Sequence, residues 1–256
     1  MSGFALVAHQ FRYDQKAFWR NPAPVFFTVM FPVILFIILG SVFNGKTVDV
    51  RGGVEATTYY VPSIMSLAII SATMQTLAMT LVIAREDGRL KRGRGTPMPP
   101  WVFIAARVGN AIVVALMMLV LLAAIGALLF GVGVPWDRLP AILIALVVGA
   151  ASFCCLGIAL TAAIPSQDAA APIVNALLLP LYFLSGVFIP EDELSNGVIA
   201  FADLFPVRHF FDAFFDAYVP AGGSAVSWDN LAVVALWGVA GLLLAIKFFR
   251  WTPRSG

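Results

Sequence analysis

One stretch of the sequence has the spacing of a phosphate-binding loop. Gly40 and Gly45 are followed by Lys46 and Thr47 in the pattern GxxxxGK[ST], whose backbone N–H groups and lysine hold nucleotide phosphates. Such a loop requires a strand before it and a helix after it. Here a long apolar run precedes the pattern, and a glycine-containing stretch without a helical pattern follows it. We interpret the match as a coincidence and expect no cofactor in this chain.

A second group of residues has the types that bind metal ions or catalyse hydrolysis. His209, Asp212 and Asp216 supply one imidazole and two carboxylates, fewer ligands than zinc or calcium sites use, so we expect no metal. Ser185 and His209 have the types of a nucleophile and its base. The Gly-x-Ser-Gly setting of intramembrane hydrolases is absent around Ser185. We therefore expect no catalytic residue, and an intramembrane enzyme is kept only as an alternative.

The composition places these residues in a membrane protein. Hydrophobic residues make up 61% of the 256 residues, charged residues make up 12%, and the mean hydropathy is +0.92. Soluble domains are about a quarter charged, and half of that leaves too few charges to cover a water-facing surface. The net charge of +2 gives no reason to expect nucleic acid as a partner. The chain is therefore expected to contact membrane lipids.

Six apolar runs of about 20 residues are each long enough to cross a hydrocarbon core of about 30 Å as a helix. They are residues 24–43, 58–84, 101–131, 140–164, 172–190 and 229–249. None alternates as a barrel strand does, and only helices and closed barrels span lipid. The sequence predicts an all-α polytopic membrane protein with six transmembrane helices, forming a single domain over residues 1–256.

The first 22 residues have the pattern of an amphipathic helix that lies on the membrane surface. Apolar residues recur at near-helical spacing, with charged residues between them. The apolar positions are Phe4, Val7, Ala8, Phe11 and Phe18. Asn21 and Pro22 then interrupt the pattern, so we predict an interfacial helix over residues 1–22.

The distribution of lysine and arginine predicts the orientation. With a cytoplasmic N-terminus, twelve of these residues lie in inner segments and four in outer segments, as the positive-inside rule requires. The inner residues are Arg12, Lys16, Arg20, Arg85, Arg89, Lys91, Arg92, Arg94, Arg107, Lys247, Arg250 and Arg254, and the outer ones are Lys46, Arg51, Arg138 and Arg208. We predict a bacterial inner-membrane protein with both termini in the cytoplasm.

The loop after the second run, residues 85–97, mixes acids with bases. Orientation alone requires no acids, yet Glu86 and Asp87 stand among the basic residues. A short charged helix ended by Gly95 and Pro97 suits docking onto a cytoplasmic partner. The setting of Glu86 indicates a specific contact with a cation.

The segment after the fifth run, residues 191–218, is rich in aromatic residues. An apolar stripe recurs at helical spacing between proline breaks. Its members are Phe210, Phe211, Phe214, Phe215 and Tyr218. Two short helices of this kind are expected to re-enter the outer leaflet as a hairpin rather than to cross the membrane.

Three polar residues lie within the apolar runs, namely Gln75, Asn110 and Asn175. Hydrogen bonding between helices is the commoner role of such residues, and lining a translocation path is the alternative. Few charges lie in the middle of the runs, so a proton-driven carrier has little support and is kept as an alternative.

These motifs together resemble the membrane domain of type-2 ABC exporters, closest to the daunorubicin-resistance-type permeases, over essentially the whole chain. The first motif is the loop Arg-Glu-x-Gly-x-Leu-Lys-Arg-x-x-Gly-Thr-Pro, carried by Arg85, Glu86, Gly88, Leu90, Lys91, Arg92, Gly95, Thr96 and Pro97. The later motifs are carried by Pro180, Ser185, Gly186 and Pro190, and by Phe205, Pro206 and His209. Leu194-Ser195 departs from the proline that many relatives carry, which affects the expected geometry of the outer hairpin.

The resemblance implies roles for three segments. Residues 1–22 would be a connecting helix, residues 85–97 a coupling helix that receives motion from an ATPase, and residues 191–218 an outer hairpin that caps the exit. The implied coupling residues are Arg85, Glu86, Asp87, Arg89, Lys91 and Arg92. The implied exit residues are Ser185, Gly186, Pro190, Pro206, His209 and Phe210.

The resemblance also implies a function and partners. The chain would be the permease subunit of an ATP-driven exporter that moves a drug-like or lipid-like substrate outward, as in antibiotic resistance. Two copies of a separate ATPase subunit would bind ATP and Mg, and a second permease, identical or a sister chain, would complete the path. Export of a lipid-linked glycan is the alternative within transport.

The predicted orientation can be tested by cysteine labelling with an impermeant reagent in intact cells. Single cysteines at Thr47, Trp136 and Ser195 should react, because the positive-inside rule places them outside. A cysteine at Thr96 should stay unlabelled until the membrane is permeabilised. Labelling of Thr96 from outside would reverse the predicted orientation.

Overall fold

The computed structural model describes residues 3–48, 50, 53–94, 100–190, 194–220 and 224–252. Within these ranges the chain is almost entirely helical, and the predicted all-α polytopic membrane fold is confirmed. The helices are α1 (Gly3–Trp19), α2 (Pro22–Val25), α3 (Phe31–Val42), α4 (Ala56–Ile70), α5 (Thr76–Glu86), α6 (Arg89–Arg94), α7 (Pro100–Phe130), α8 (Leu139–Leu160), α9 (Gln167–Leu184), α10 (Asn196–Ala202), α11 (Pro206–Tyr218) and α12 (Trp228–Phe248).

Among the described residues, five helical segments are long and apolar enough to cross a membrane, and a shorter apolar segment precedes them. In chain order, span one is the shorter segment Phe26–Val42, span two is Ala56–Glu86, span three is Trp101–Phe130, span four is Trp136–Leu160, span five is Gln167–Leu184 and span six is Trp228–Phe248. Span one continues from α2 without a break, so the whole helix starts at Pro22.

Span five differs most from its predicted bounds. It begins at Gln167 rather than at residue 172, because the Ser166 hydroxyl accepts the Ala169 N–H and caps the helix. It ends at Leu184, because Ser185 and Gly186 turn away and Gly186 has a positive φ of 84°. Apolar composition alone does not detect a polar first turn such as Gln167-Asp168.

Two features are absent from the sequence prediction. Spans one and two each contain a π-helical turn, at Phe26–Met30 and Ser71–Gln75. The hydroxyls of Thr28 and Thr76 lie 2.9 Å apart and join the two spans there. The loop after span one forms a small antiparallel hairpin of β1 (Thr47–Val48) and β2 (Val54–Glu55), with Thr47 opposite Glu55.

Span two lies at the centre of the bundle. Its most apolar stretch is 72% buried within this one chain, against 28% for spans five and six. Spans four and six pack closely because glycines of α12 face α8, Gly238 against Ser152 and Gly241 against Leu156. Gly157 of α8 lies directly on the π-helical turn, where an added Cβ would stand 2.8 Å from the Met74 carbonyl oxygen.

The short helix α11 is buried among spans rather than resting on them. Its phenylalanines at 210, 211, 214 and 215 are all buried. Phe210 packs on Phe153 with 5.3 Å between ring centroids, and it touches Gly149 near the middle of α8. Phe211 and Phe215 pack on Tyr59 at the start of span two. The pair α10 and α11 therefore reaches well down beside span four, as a re-entrant hairpin would.

The contact at Gly149 gives a test of this packing. A methyl group there would overlap the buried Phe210 ring, so Gly149→Ala should destabilise the protein by about 1–3 kcal/mol, the usual cost of overpacking. Adding Phe210→Leu should restore part of the loss. Gly197→Ala in α10, where a Cβ meets open space, is the control and should be neutral or slightly stabilising. Thermal unfolding in detergent measures all three, and an unchanged Tm for Gly149→Ala would contradict the described packing.

Candidate functional site

The predicted coupling segment begins as the last turn of span two. Arg85 and Glu86 end α5, Asp87 and Gly88 form a turn with Gly88 at φ 69°, and α6 follows. The positive φ explains why residue 88 is a glycine, because other residues rarely adopt a positive φ. Residues 95–97 of the predicted motif, Gly95-Thr96-Pro97, lie outside the described residues.

Arg85 points into the protein. Its residue is 1% exposed, and its guanidinium donates from Nη1 to the Thr161 carbonyl at 2.8 Å and from Nη2 to the Ile164 carbonyl at 2.7 Å. These carbonyls follow the last turn of α8, where helix carbonyls have no partner in the helix itself. A cation there also favours the negative end of the helix dipole. Arg85 therefore caps span four from span two.

Glu86 completes this buried cluster. Its Oε1 accepts from Arg85 Nε at 2.7 Å, and its side chain is 6% exposed. The sequence predicts a contact of Glu86 with a cation of a cytoplasmic partner, whereas the cation described beside it here is the neighbouring Arg85 of the same chain. All three nitrogens of the guanidinium then have acceptors, which makes the burial of the charge tolerable.

The other predicted coupling residues face solvent. Arg89 and Asp87 form an exposed ion pair at 2.7 Å, and the Arg89 side chain is 62% exposed. Lys91 and Arg92 are exposed as well, with Arg92 donating to the Asp87 carbonyl at 3.2 Å. Leu90, which is 1% exposed, holds α6 against the bundle. The segment thus separates into a buried pair at 85–86 and an exposed charged face on α6.

The N-terminal helix packs beside this segment. Gly3 of α1 touches Trp101, and Phe11 touches Gly109, so α1 follows the first part of α7. Asp14 accepts a hydrogen bond from Gln10 at 3.1 Å and lies within electrostatic range of Arg107. Burial raises the pKa of Asp14 above its ordinary value, while Arg107 and Gln10 oppose that shift. The helix α1 is therefore fixed to span three.

Two of the three intramembrane polar residues bond to each other. Gln75 Nε2 donates to Asn175 Oδ1 at 2.9 Å, which joins span two to span five. Gln75 Oε1 in turn accepts from the Ser71 hydroxyl at 3.0 Å. Asn110 is on span three, and its buried Oδ1 accepts no hydrogen bond from the part of the chain that the structure describes. Gln75 and Asn175 thus hold spans two and five together.

At the opposite end of the bundle from α6, Ser185 and Gly186 form a tight turn after span five. The buried Ser185 hydroxyl donates to the Tyr182 carbonyl at 3.2 Å. The Gly186 carbonyl accepts a hydrogen bond from the Tyr59 hydroxyl, and the Cα of Gly186 faces the Phe211 ring. Pro190, also buried, is the last described residue before the gap at 191–193, so Glu191, Asp192 and Glu193 lie outside the described residues.

His209 and Arg208 stabilise the bend between α10 and α11, just after the buried Pro206. His209 Nδ1 lies 2.7 Å from Asn230 Oδ1, and its Nε2 lies 2.8 Å from the Asp203 carbonyl. Arg208 is 6% exposed and its Nε lies 2.6 Å from Asp203 Oδ1. These contacts attach the hairpin to the start of span six.

The described residues do not form the geometry that a hydrolase at Ser185 and His209, or a metal site at His209, would need. Within it, no hydrogen bond joins Ser185 to His209, and no group of three metal-ligating side chains occurs. The phosphate-loop pattern has its elements in the reverse order, with a helix before it and a strand after it. Lys46 there lies over the Phe43 ring, 5.0 Å from its centroid.

Sequence reasoning missed the structural roles of Arg85, Arg208 and Tyr59. From the sequence, Arg85 and Arg208 contribute only to the predicted orientation and to the coupling segment, and Tyr59 is assigned no role. One signal was present for Arg208, since Asp212 follows it at i+4 and Asp203 precedes it closely. No comparable signal marks the partners of Arg85, because Thr161 and Ile164 contribute backbone carbonyls.

Comparisons with known proteins agree with this architecture. The family described as "ABC-2 type transporter" matches residues 5–219. A Bacillus subtilis (strain 168) protein named "Putative transport permease YvfS" is 23% identical over 238 residues, which cover 93% of this chain and 94% of that protein.

The burial of Glu86 generates a test. Glu86→Lys would place a second cation beside the buried Arg85, and breaking a buried ion pair costs about 3–5 kcal/mol. We expect loss of folded protein in the membrane, seen as aggregation in detergent size-exclusion chromatography. Asp87→Lys, which changes the exposed neighbour, should leave the elution profile unchanged. Normal folding of Glu86→Lys would show that the Arg85–Glu86 pair is not needed.

Proposed function

This chain belongs to the ABC-2 type transporter family, and on that premise we propose that it is the permease subunit of an ATP-driven exporter. Family membership and the spans make it the membrane subunit of a transporter. The observation that carries the further step is α6, a short exposed charged helix connected through Asp87-Gly88 to the most buried span. A partner that moves α6 would move the centre of the bundle.

The partner we propose is an ABC ATPase, two copies of which bind ATP and Mg on the cytoplasmic side. The exposed face of α6 offers charges of both signs, with Arg89, Lys91 and Arg92 beside Asp87. Complementary charges across an interface fix the orientation in which two proteins bind each other. The excess of lysine and arginine in the inner segments supports a cytoplasmic position for α6 and for both termini.

The second partner we propose is another permease, identical or a sister chain. Span one exposes large apolar side chains, among them Phe27 at 58% and Ile38 at 52%, and span five exposes Leu179 and Phe183. Lipid or a second membrane subunit satisfies such faces equally well. The path between two such subunits would be largely apolar, which supports a drug-like or lipid-like substrate and, for a drug, a role in resistance.

Charge reversal on α6 tests the ATPase contact. The tagged permease is co-expressed with an ABC ATPase subunit from the same genome, and co-purification and Mg-ATP hydrolysis are measured. Lys91→Glu with Arg92→Glu should reduce co-purification at least about tenfold, because losing a charged contact at an interface costs about 2–5 kcal/mol. The folded permease itself should be retained, since both side chains are exposed.

Arg250→Glu is the matched control. It reverses another exposed cation, located after span six and outside α6, and it should leave co-purification unchanged. Equal recovery of the ATPase with wild type and the double reversal would remove α6 as the docking helix. Absence of any ATPase activity with the wild-type complex would overturn the proposed function itself.

A further inference from the structure

We propose that Arg85 is a positioning residue that makes span five follow the coupling end of span two. In this role the guanidinium fastens the cytoplasmic loop 161–166, which joins spans four and five, to the residues that precede α6. The proposal rests on the proposed function, since it describes the route by which a movement of α6 would reach the bundle.

The grip of Arg85 on the loop is specific to arginine. Its two terminal nitrogens donate to the carbonyls of Thr161 and Ile164, three residues apart, while Nε holds Glu86. A guanidinium presents these donors in a fixed planar arrangement, whereas a lysine ammonium is a single point charge on a flexible stem. Lysine would keep the charge but could not hold both carbonyls and the carboxylate in this geometry.

The loop that Arg85 holds, residues 161–166, has little freedom to stretch. Backbone hydrogen bonds from Ala162 to Ala159 and from Ala163 to Leu160 extend the end of α8, and Ile164 is fully buried. Ser166, two residues after Ile164, already caps span five. A displacement of the held carbonyls is therefore passed directly to the start of α9.

A second contact fixes the orientation of span five as well as its position. Gln75 lies ten residues before Arg85, about 15 Å along the helix, and Asn175 lies eight residues into α9, about 12 Å along it. The 2.9 Å bond between these amides joins the same two spans at a deeper level. Held at two levels, spans two and five behave as one body.

The remaining cations of the segment do not share this role. Arg89, four residues later, is exposed and pairs with Asp87 on the surface. It therefore provides a matched control for the distance measurement, an arginine of the same short segment whose described hydrogen bond and ion pair stay within that segment.

The test combines a transport measurement with a distance measurement on the full permease–ATPase complex. Spin labels are placed at Ala163 and Ile83, both exposed and both outside the proposed docking face of α6, in a background where Cys154 and Cys155 are alanine. The variants are Arg85→Lys, Arg85→Gln combined with Glu86→Gln so that no buried carboxylate loses its cation, and the control Arg89→Gln. A fourth variant, with two glycines inserted between Pro165 and Ser166, keeps Arg85 and its bonds but adds slack before α9. The transport probe is a fluorescent lipophilic dye.

We expect both Arg85 variants to retain bound ATPase and its hydrolysis, and to lose about tenfold in dye moved per ATP, within the range of typical coupling effects. Their distance distribution should broaden, while that of Arg89→Gln, whose side chain is exposed, should match wild type. The glycine insertion should lower dye transport per ATP with an unchanged distance distribution.

Three results would overturn the proposal. The first is a narrow distance distribution in the Arg85→Gln variant. The second is a broad distribution in that variant together with wild-type dye transport per ATP. The third is wild-type dye transport per ATP in the glycine-insertion variant. The wild-type complex could move no dye with ATP while the spin-label distances change between variants as expected. In that case the proposed function or its substrate class would be wrong, and the role of Arg85 in holding loop 161–166 would be retained. The two failures are thereby distinguishable.

Discussion

The structure depends on the requirement that polar groups buried in a lipid-embedded bundle find partners within the protein. No water is available to a helix carbonyl at membrane depth, and each unsatisfied group costs several kcal/mol. The guanidinium of Arg85 meets this requirement for two carbonyls beyond α8 at once, and Glu86 balances its charge. One side chain thus determines how three elements meet: the end of span two, the end of span four and the entry to span five.

The same requirement organises the opposite end of the bundle. Tyr59 donates to the Gly186 carbonyl, Arg208 pairs with Asp203 after α10, and the His209 ring lies within hydrogen-bonding distance of the Asp203 carbonyl and of Asn230 on α12. Span two participates at both of its ends, through Tyr59 at one and Arg85 at the other, and its most apolar stretch is 72% buried. The apolar packing of Phe210 against the glycine surface of α8 then fills the space between these polar anchors.

Much of the fold follows from the sequence because lipid imposes a length and a composition on every span. Spans two, three and six were predicted to within about two residues, and the α10–α11 pair was predicted from its aromatic stripe. The start of span five was not, because Ser166 capping allows a polar first turn. Of the candidate site, the exposed charges of α6 lie where the pattern indicated. The inward direction of Arg85 and the Gln75–Asn175 bond depend on which spans are neighbours, and hydropathy does not contain that information.

The π-helical turn at Ser71–Gln75 has a consequence for how this chain tolerates changes in length. A π turn accommodates one residue more than the α-helix around it. Removing a single residue there would let span two continue as a regular α-helix with the residues beyond it close to their present phase, so Tyr59 would still reach Gly186 and Arg85 would still face Thr161 and Ile164. Removing a residue from the purely α-helical part of span two would instead rotate everything beyond it by about 100° and turn Arg85 away from both carbonyls. The wide turn against Gly157 is thus where span two takes up a residue without changing the phase of its two ends.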